Sequence, residues 1–140
     1  MHTNKESIEN LLPHRSPFLF VDEILSVTED EIIGYKTFGE ECSWLSGIFP
    51  EHNIIPGTIL IESLAQCGGA GMRLLKDTNG LFGLASIESA TFLKAATFHT
   101  PIKYVIKNIR LSDKLVKQSG IAFINDEALL EATWVCVRIS

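Results

Sequence analysis

Between Thr58 and Lys76 the chain is apolar on nearly every side, and one acid, Glu62, stands in its interior. A carboxylate there costs free energy unless it is paired or used. Glu62, Gln66 and Arg73 follow one another at spacings of four and seven, which puts them on one stripe of a helix. Gln66, one turn on, is placed to hold the carboxylate by a hydrogen bond. The chemistry open to a carboxyl held in this way is proton transfer. An acid on a buried helix, one turn from a glutamine, is better explained by a site than by packing.

The elements around Glu62 follow from pattern. Ile59, Leu60, Ile61, Leu64, Ala65, Cys67, Ala70, Met72 and Leu75 surround the helix, and a helix hydrophobic all round is a buried one. Pro56 and Gly57 open it. Gly39 to Pro56 reads as a loop, and loops of that length are often functional. Gly68, Gly69 and Gly71 cost helix propensity, and close approach of another backbone is the expected return. Arg73 and Lys76 suit the negative end of the helix dipole. Asp77 to Gly80 ends the helix.

Thr3 to Leu12 predicts a short first helix, with capping-box spacing between Thr3 and Glu6. Pro13 ends it, and Pro13 to Pro17 forms a rigid connector. Phe18 to Thr28 reads as a strand, Glu29-Asp30 as a turn and Glu31 to Phe38 as the hairpin partner. From Leu81 on the pattern is all strand: Leu81–Ile87, Ala90–Ala96, Ile102–Ile109, Ser119–Ile124 and Ala128–Ile139. Asn125-Asp126 is a hairpin turn signal. A hairpin, a buried helix and a run of antiparallel strands predict an α+β fold with the helix packed on a sheet.

The 140 residues suggest one domain, 1–140. Hydrophobic residues make up 46%, enough for a core. The net charge of −5 disfavours nucleic-acid binding. Residues 1–62 carry 11 acids against 3 bases, whereas Lys94, Lys103, Lys107, Arg110, Lys114 and Lys117 face Asp113 alone between 94 and 117. That basic stretch reads either as the solvated faces of strands or as a dock for an acidic or phosphate-bearing partner. Cys42, Cys67 and Cys136 lack metal spacing and fit buried thiols in a reducing cytoplasm. The polar start gives no signal peptide, and Glu62 breaks the longest apolar run, so no membrane span is expected. No metal or organic cofactor is implied: there is no ligand cluster, and the glycines lie inside the helix rather than before it.

Three motifs carry a resemblance. Leu12-Pro13-His14-Arg15-Ser16-Pro17 runs on through Phe18 to Asp22. Phe49-Pro50 is followed by Pro56-Gly57, and then by Glu62 to Gln66. In order and spacing these resemble the beta-hydroxyacyl-acyl-carrier-protein dehydratases of bacterial fatty-acid synthesis. Ile87 to Lys94 is similar to that family's next strand. The likeness weakens beyond about residue 95, where Phe98-His99-Thr100 replaces the family's Pro-Gly-Asp turn. It implies the hot-dog fold, a curved antiparallel sheet wrapped around one long central helix. It also implies a dimer with an acyl tunnel between helix and sheet. Glu62 then takes the place of the catalytic acid, the Gly57 N–H that of the donor polarising the thioester carbonyl, and Phe49, Pro56 and Gln66 line or brace the site.

One departure matters most. The family reads Gly-His-Phe-Pro, and its histidine is the base. Here Gly47-Ile48-Phe49-Pro50 stands instead, and isoleucine accepts no proton. Three readings stay open. The chain is a homodimeric dehydratase with a substitute base, His52, four residues along the loop. His14, part of the connector motif and read as structural, stands behind it with His99. Alternatively, the chain supplies Glu62 to a mixed dimer with a histidine-bearing relative. Otherwise it is a hot-dog acyl thioesterase or acyl-binding module. The implied partner is an acyl carrier protein or a CoA thioester, with the stretch from Lys94 to Lys117 as the carrier's dock.

Overall fold

A computed structural model describes residues 5–76 and 80–140. The Thr3 cap and Asp77 to Asn79 of the helix end lie outside the described residues. Helix α1 (Lys5–Leu11) stops at the residue before Leu12-Pro13, as the missing proline N–H requires. Strands β1 (Glu23–Val27) and β2 (Glu31–Lys36) form the first hairpin. A kinked 3₁₀ segment (Glu40–Gly47) fills part of the predicted loop. Helix α2 (Gly57–Leu75) is followed by β3 (Phe82–Phe92), β4 (Ile102–Leu111), β5 (Leu115–Ile124) and β6 (Glu127–Arg138). The six strands form one antiparallel sheet in the order β1-β2-β4-β5-β6-β3, with α2 packed against it. This is the α+β hot-dog architecture.

The first predicted strand is shorter than its composition suggests. Phe18 to Asp22 carries strand-forming residues, yet pairing begins only at Glu23. Helix side chains satisfy much of its backbone instead, while the Asp22 N–H donates to the Tyr35 carbonyl at 2.9 Å. The Phe20 N–H donates to Gln66 Oε1 at 2.8 Å, the Ser63 hydroxyl donates to the Phe20 carbonyl at 2.6 Å, and Gln66 Nε2 donates to the Phe18 carbonyl at 3.0 Å. Buried backbone groups need partners, but the partners need not come from a strand.

Two predicted strands, Leu81–Ile87 and Ala90–Ala96, are one. β3 crosses the intervening Glu88-Ser89 with irregularities at Leu84/Ser86 and Ile87/Ser89, which keep it paired with β6. Asn125 and Asp126 both adopt positive φ, 49° and 66°, the geometry of a tight hairpin turn between twisted strands. His99 also has positive φ, at 63°, in the turn before β4.

The core gathers Trp134, Tyr104, Phe20, Phe38, Leu64 and Ile106, all fully buried. Lys36 is buried too, and Asp22 at 3.0 Å and Glu41 at 3.4 Å hold its ammonium. Those carboxylates make the burial tolerable and tie β2 to the 3₁₀ segment. Of the thiols, Cys42 and Cys67 are buried and Cys136 is half-buried.

The helix glycines serve side chains rather than a second backbone. A Cβ on Gly71 would meet Ile32 Cγ2 at 2.5 Å, and one on Gly68 would run into the Gln118 amide. Gly69 differs, because a Cβ there would meet only Leu12, at 3.7 Å. Gly71→Val should therefore destabilise the fold by about 1–3 kcal/mol through overpacking. Gly69→Ala should stabilise it by about 0.5–1 kcal/mol through helix propensity alone. Urea unfolding of both variants checks this; equal effects would refute the steric assignment.

Candidate active site

Helix α2 presents its polar stripe to a cavity of about 130 Å³. Glu62, Gln66, Gly69 and Arg73 line it from the helix, with Met72 and Ala65 between them. Cys136 and Gln118 close it from the sheet, and Leu12 to His14 cover it. The side chains predicted to share a stripe therefore share a wall.

Gln66 holds Glu62 as expected. Its Nε2 donates to Glu62 Oε2 at 2.8 Å, while its other contacts fix it to Phe18 and Phe20. The amide is 3% exposed and cannot swing away without stranding buried groups. The Glu62 side chain is 32% exposed, so it borders the cavity rather than being sealed in the core.

The imidazole beside Glu62 is that of His14. Its Nε2 lies 3.6 Å from Glu62 Oε2, and its Nδ1 is buried with no hydrogen-bond partner among the described residues. Burial lowers the His14 pKa from its ordinary 6.5, and the Glu62 charge only partly opposes this. His14 is thus held neutral. The sequence reading placed this residue in a structural connector; the missed signal was its fixed place in the motif that returns over α2 to meet Glu62.

His52 sits elsewhere. It is exposed on the loop before α2, its N–H donates to the Phe49 carbonyl at 3.0 Å, and it does not line the Glu62 cavity of its own protomer. His99 is exposed and lies 3.3 Å from Glu40.

The remaining predicted residues gather in a second hollow. Ile48, Phe49, Pro56 and Gly57 line an apolar groove of about 620 Å³ with Phe92 and Leu93. No side chain caps α2, and its first internal bonds are donated by Ile59 and Leu60 to the Pro56 carbonyl. The Gly57 N–H therefore has no partner among the described residues, at the positive end of the helix. A Cβ on Gly57 would meet the Phe92 ring at 2.5 Å, so only glycine lets that ring lie over the helix start. Glu62 and the Gly57 N–H thus stand in separate hollows.

Cys136 is no nucleophile at neutral pH. Burial first, and the Glu62 charge second, push its thiol up to about 11. No helix among the described residues is long and apolar enough to cross a membrane.

A curved sheet around an acid-bearing central helix defines a hot-dog protein of the dehydratase type. The FabA-like domain profile matches residues 12–136, and the chain belongs to that family. It is 34% identical over 129 residues to the 3-hydroxyacyl-[acyl-carrier-protein] dehydratase FabZ of Thermotoga neapolitana, covering 92% of this chain and 93% of that one. It is 35% identical to the FabZ of Solibacter usitatus, over 92% of this chain and 81% of the other. Among solved structures, the dehydratase heterocomplex ApeI:P from Xenorhabdus doucetiae superposes with a TM-score of 0.80 at 16% identity, over 95% of this chain and 91% of that one. Cj0977, a sigma28-regulated virulence protein from Campylobacter jejuni, superposes with a TM-score of 0.72 at 10% identity, over 99% and 94%.

The lowered His14 pKa has a consequence for stability. Between the folded value and 6.5 the unfolded chain binds more protons than the folded one, so stability rises with pH there. The contribution is full above about pH 6.5 and is lost as pH falls through the folded value. His14→Gln should flatten this part of the stability profile, measured by urea unfolding across the mildly acidic range. A variant with the wild-type slope would show that another group sets it.

Proposed function

We propose that this chain is a beta-hydroxyacyl-acyl-carrier-protein dehydratase-like protein, cytoplasmic, acting on acyl thioesters in fatty-acid or related acyl-chain biosynthesis. The observation that carries the reading is Glu62, held by Gln66 at 2.8 Å and turned to a cavity beside the central helix. Glu62 gives the departing hydroxyl its proton. The free Gly57 N–H polarises the thioester carbonyl and lowers the barrier to loss of the neighbouring proton. Phe49 and Pro56 form the apolar walls around that donor.

The two hollows are joined by a second protomer. β3 is an edge strand of 11 residues with exposed Leu84, Ile87 and Phe92, followed by exposed Leu93. Such an edge invites pairing, which supports at least a dimer. In that assembly His52 is a candidate base offered to the partner's acid. Lys94, Lys107 and Lys117 are paired with Glu127, Glu31 and Glu88. The acyl carrier protein or CoA phosphates would meet Lys103, Arg110 and Lys114, which make no ion pair among the described residues.

A second reading rests on Ile48, which lines the groove 55% exposed and offers no proton acceptor. In a mixed dimer this chain gives Glu62 and a histidine-bearing relative gives the base, and a heterocomplex is what the Xenorhabdus structure is described as.

The test is a dehydration assay on 3-hydroxyhexanoyl-N-acetylcysteamine, following enoyl thioester absorbance with the purified chain alone and with a histidine-bearing relative. Enoyl product should form, Glu62→Gln should lower the rate by about 10²–10⁴-fold, and Ile48→His should raise it. Thioester hydrolysis without enoyl product would overturn the dehydratase reading in favour of a thioesterase. Activity only in the mixture would establish the mixed dimer. Ile87→Lys should convert the dimer to monomer in sedimentation; a variant that stays dimeric would place the interface elsewhere.

A further inference from the structure

Ile48 leaves the family's base position without a proton acceptor, yet an imidazole already stands at the acid. His14 Nε2 is 3.6 Å from Glu62 Oε2, inside the same protomer. Both residues line one cavity, and among the described residues no other histidine does. We infer that His14 is the catalytic base of this chain, and that it works with Glu62 as an acid–base pair contained in one protomer. The inference rests on the dehydratase reading and names the residue that completes it.

The geometry suits a 1,2-elimination. Neighbouring carbons are about 1.5 Å apart, so a hydrogen on C2 and a hydroxyl on the same side of C3 are served by two groups a few ångströms apart. Neutral His14 takes the C2 proton on Nε2. The C2–H electron pair becomes the C2–C3 double bond. The C3–O bond breaks as Glu62 delivers to the oxygen the one proton that the pair holds, and water leaves. His14 is then protonated and Glu62 ionised. Transfer of that proton from Nε2 to Oε2 restores both, so no external acid, base or redox partner is consumed.

The surroundings fit these roles. Gln66 pins Glu62 while Nδ1 of His14 has no neighbour among the described residues. Which nitrogen of a neutral imidazole carries the proton is set by the partner of the other. With no donor at Nδ1 to fix that nitrogen as an acceptor, the ring proton can stand on Nδ1, which leaves the Nε2 lone pair for the C2 proton. The carbonyl donor Gly57 still comes from the second protomer, so only the proton chemistry lies within one chain.

The decisive experiment uses the purified chain, the same N-acetylcysteamine thioester, and four variants: His14→Gln, His14→Ala, His52→Ala and Glu62→Gln. Dehydration by the wild type should fall by about 10²–10⁴-fold in His14→Gln, with the loss in kcat rather than KM. A loss of that size in His52→Ala with none in His14→Gln would overturn the inference. Added imidazole should restore part of the activity of His14→Ala, which a merely structural role would not allow. Circular dichroism and urea unfolding establish that the variants fold. Full activity in His14→Gln with a dead Glu62→Gln would overturn this inference and leave the dehydratase reading standing. So would a chain active only when mixed with a histidine-bearing relative. A Glu62→Gln variant as active as the wild type, or a chain inactive in every mixture, would remove both.

Discussion

The side chain of Gln66 is the joint on which this structure depends. One buried amide accepts from the Phe20 N–H, donates to the Phe18 carbonyl and donates to the Glu62 carboxylate. It fastens the segment after the connector to the central helix and sets the acid in the same act. Ser63 adds a second tie, its hydroxyl meeting both the Phe20 carbonyl and the Tyr104 hydroxyl at 2.5 Å. Losing one such partner in the interior strands the others, a penalty of about 1–3 kcal/mol for each. Fold and site therefore share an anchor, and the acid is positioned at no separate cost in rigidity.

Much of this was legible. The stripe of Glu62, Gln66 and Arg73 rests on helical periodicity, and a period is local information. The Asn125-Asp126 turn and the three strands from Ile102 onward were legible for the same reason. Phe18 to Asp22 misled because its composition favours a strand while three of its backbone hydrogen bonds are claimed by residues more than 40 positions away. The helix glycines misled in a related way. Their cost was visible, but that Ile32 and Gln118 fill the space, and that Gly69 faces a hollow, are tertiary facts.

His14 is the instructive case. Between Pro13 and Arg15, with Pro17 three residues on, it looks like part of a rigid connector, and it is one. Arg15 reinforces the connector by donating to the Leu12 carbonyl at 2.9 Å. That same rigidity carries His14 back over α2 and stops it at Glu62. A structural role and a chemical one do not exclude each other here, because a group that must act at a fixed distance needs a stiff support.

The separation of Gly57 from Glu62 follows from the helix itself. Five residues at 3.6 per turn place two positions well apart around the axis, about 7.5 Å along it. The Gly57 N–H at the helix start and Glu62 further on thus open into different hollows. In the reading proposed, a site that uses both is built from two helices, with the apolar β3 edge available to bring them together. A residue on the connector escapes that constraint, because its position is not tied to the helical period. In the reading proposed, that freedom lets a chain without a proton acceptor at Ile48 keep an acid and a base side by side, while the carbonyl donor remains a contribution from the partner.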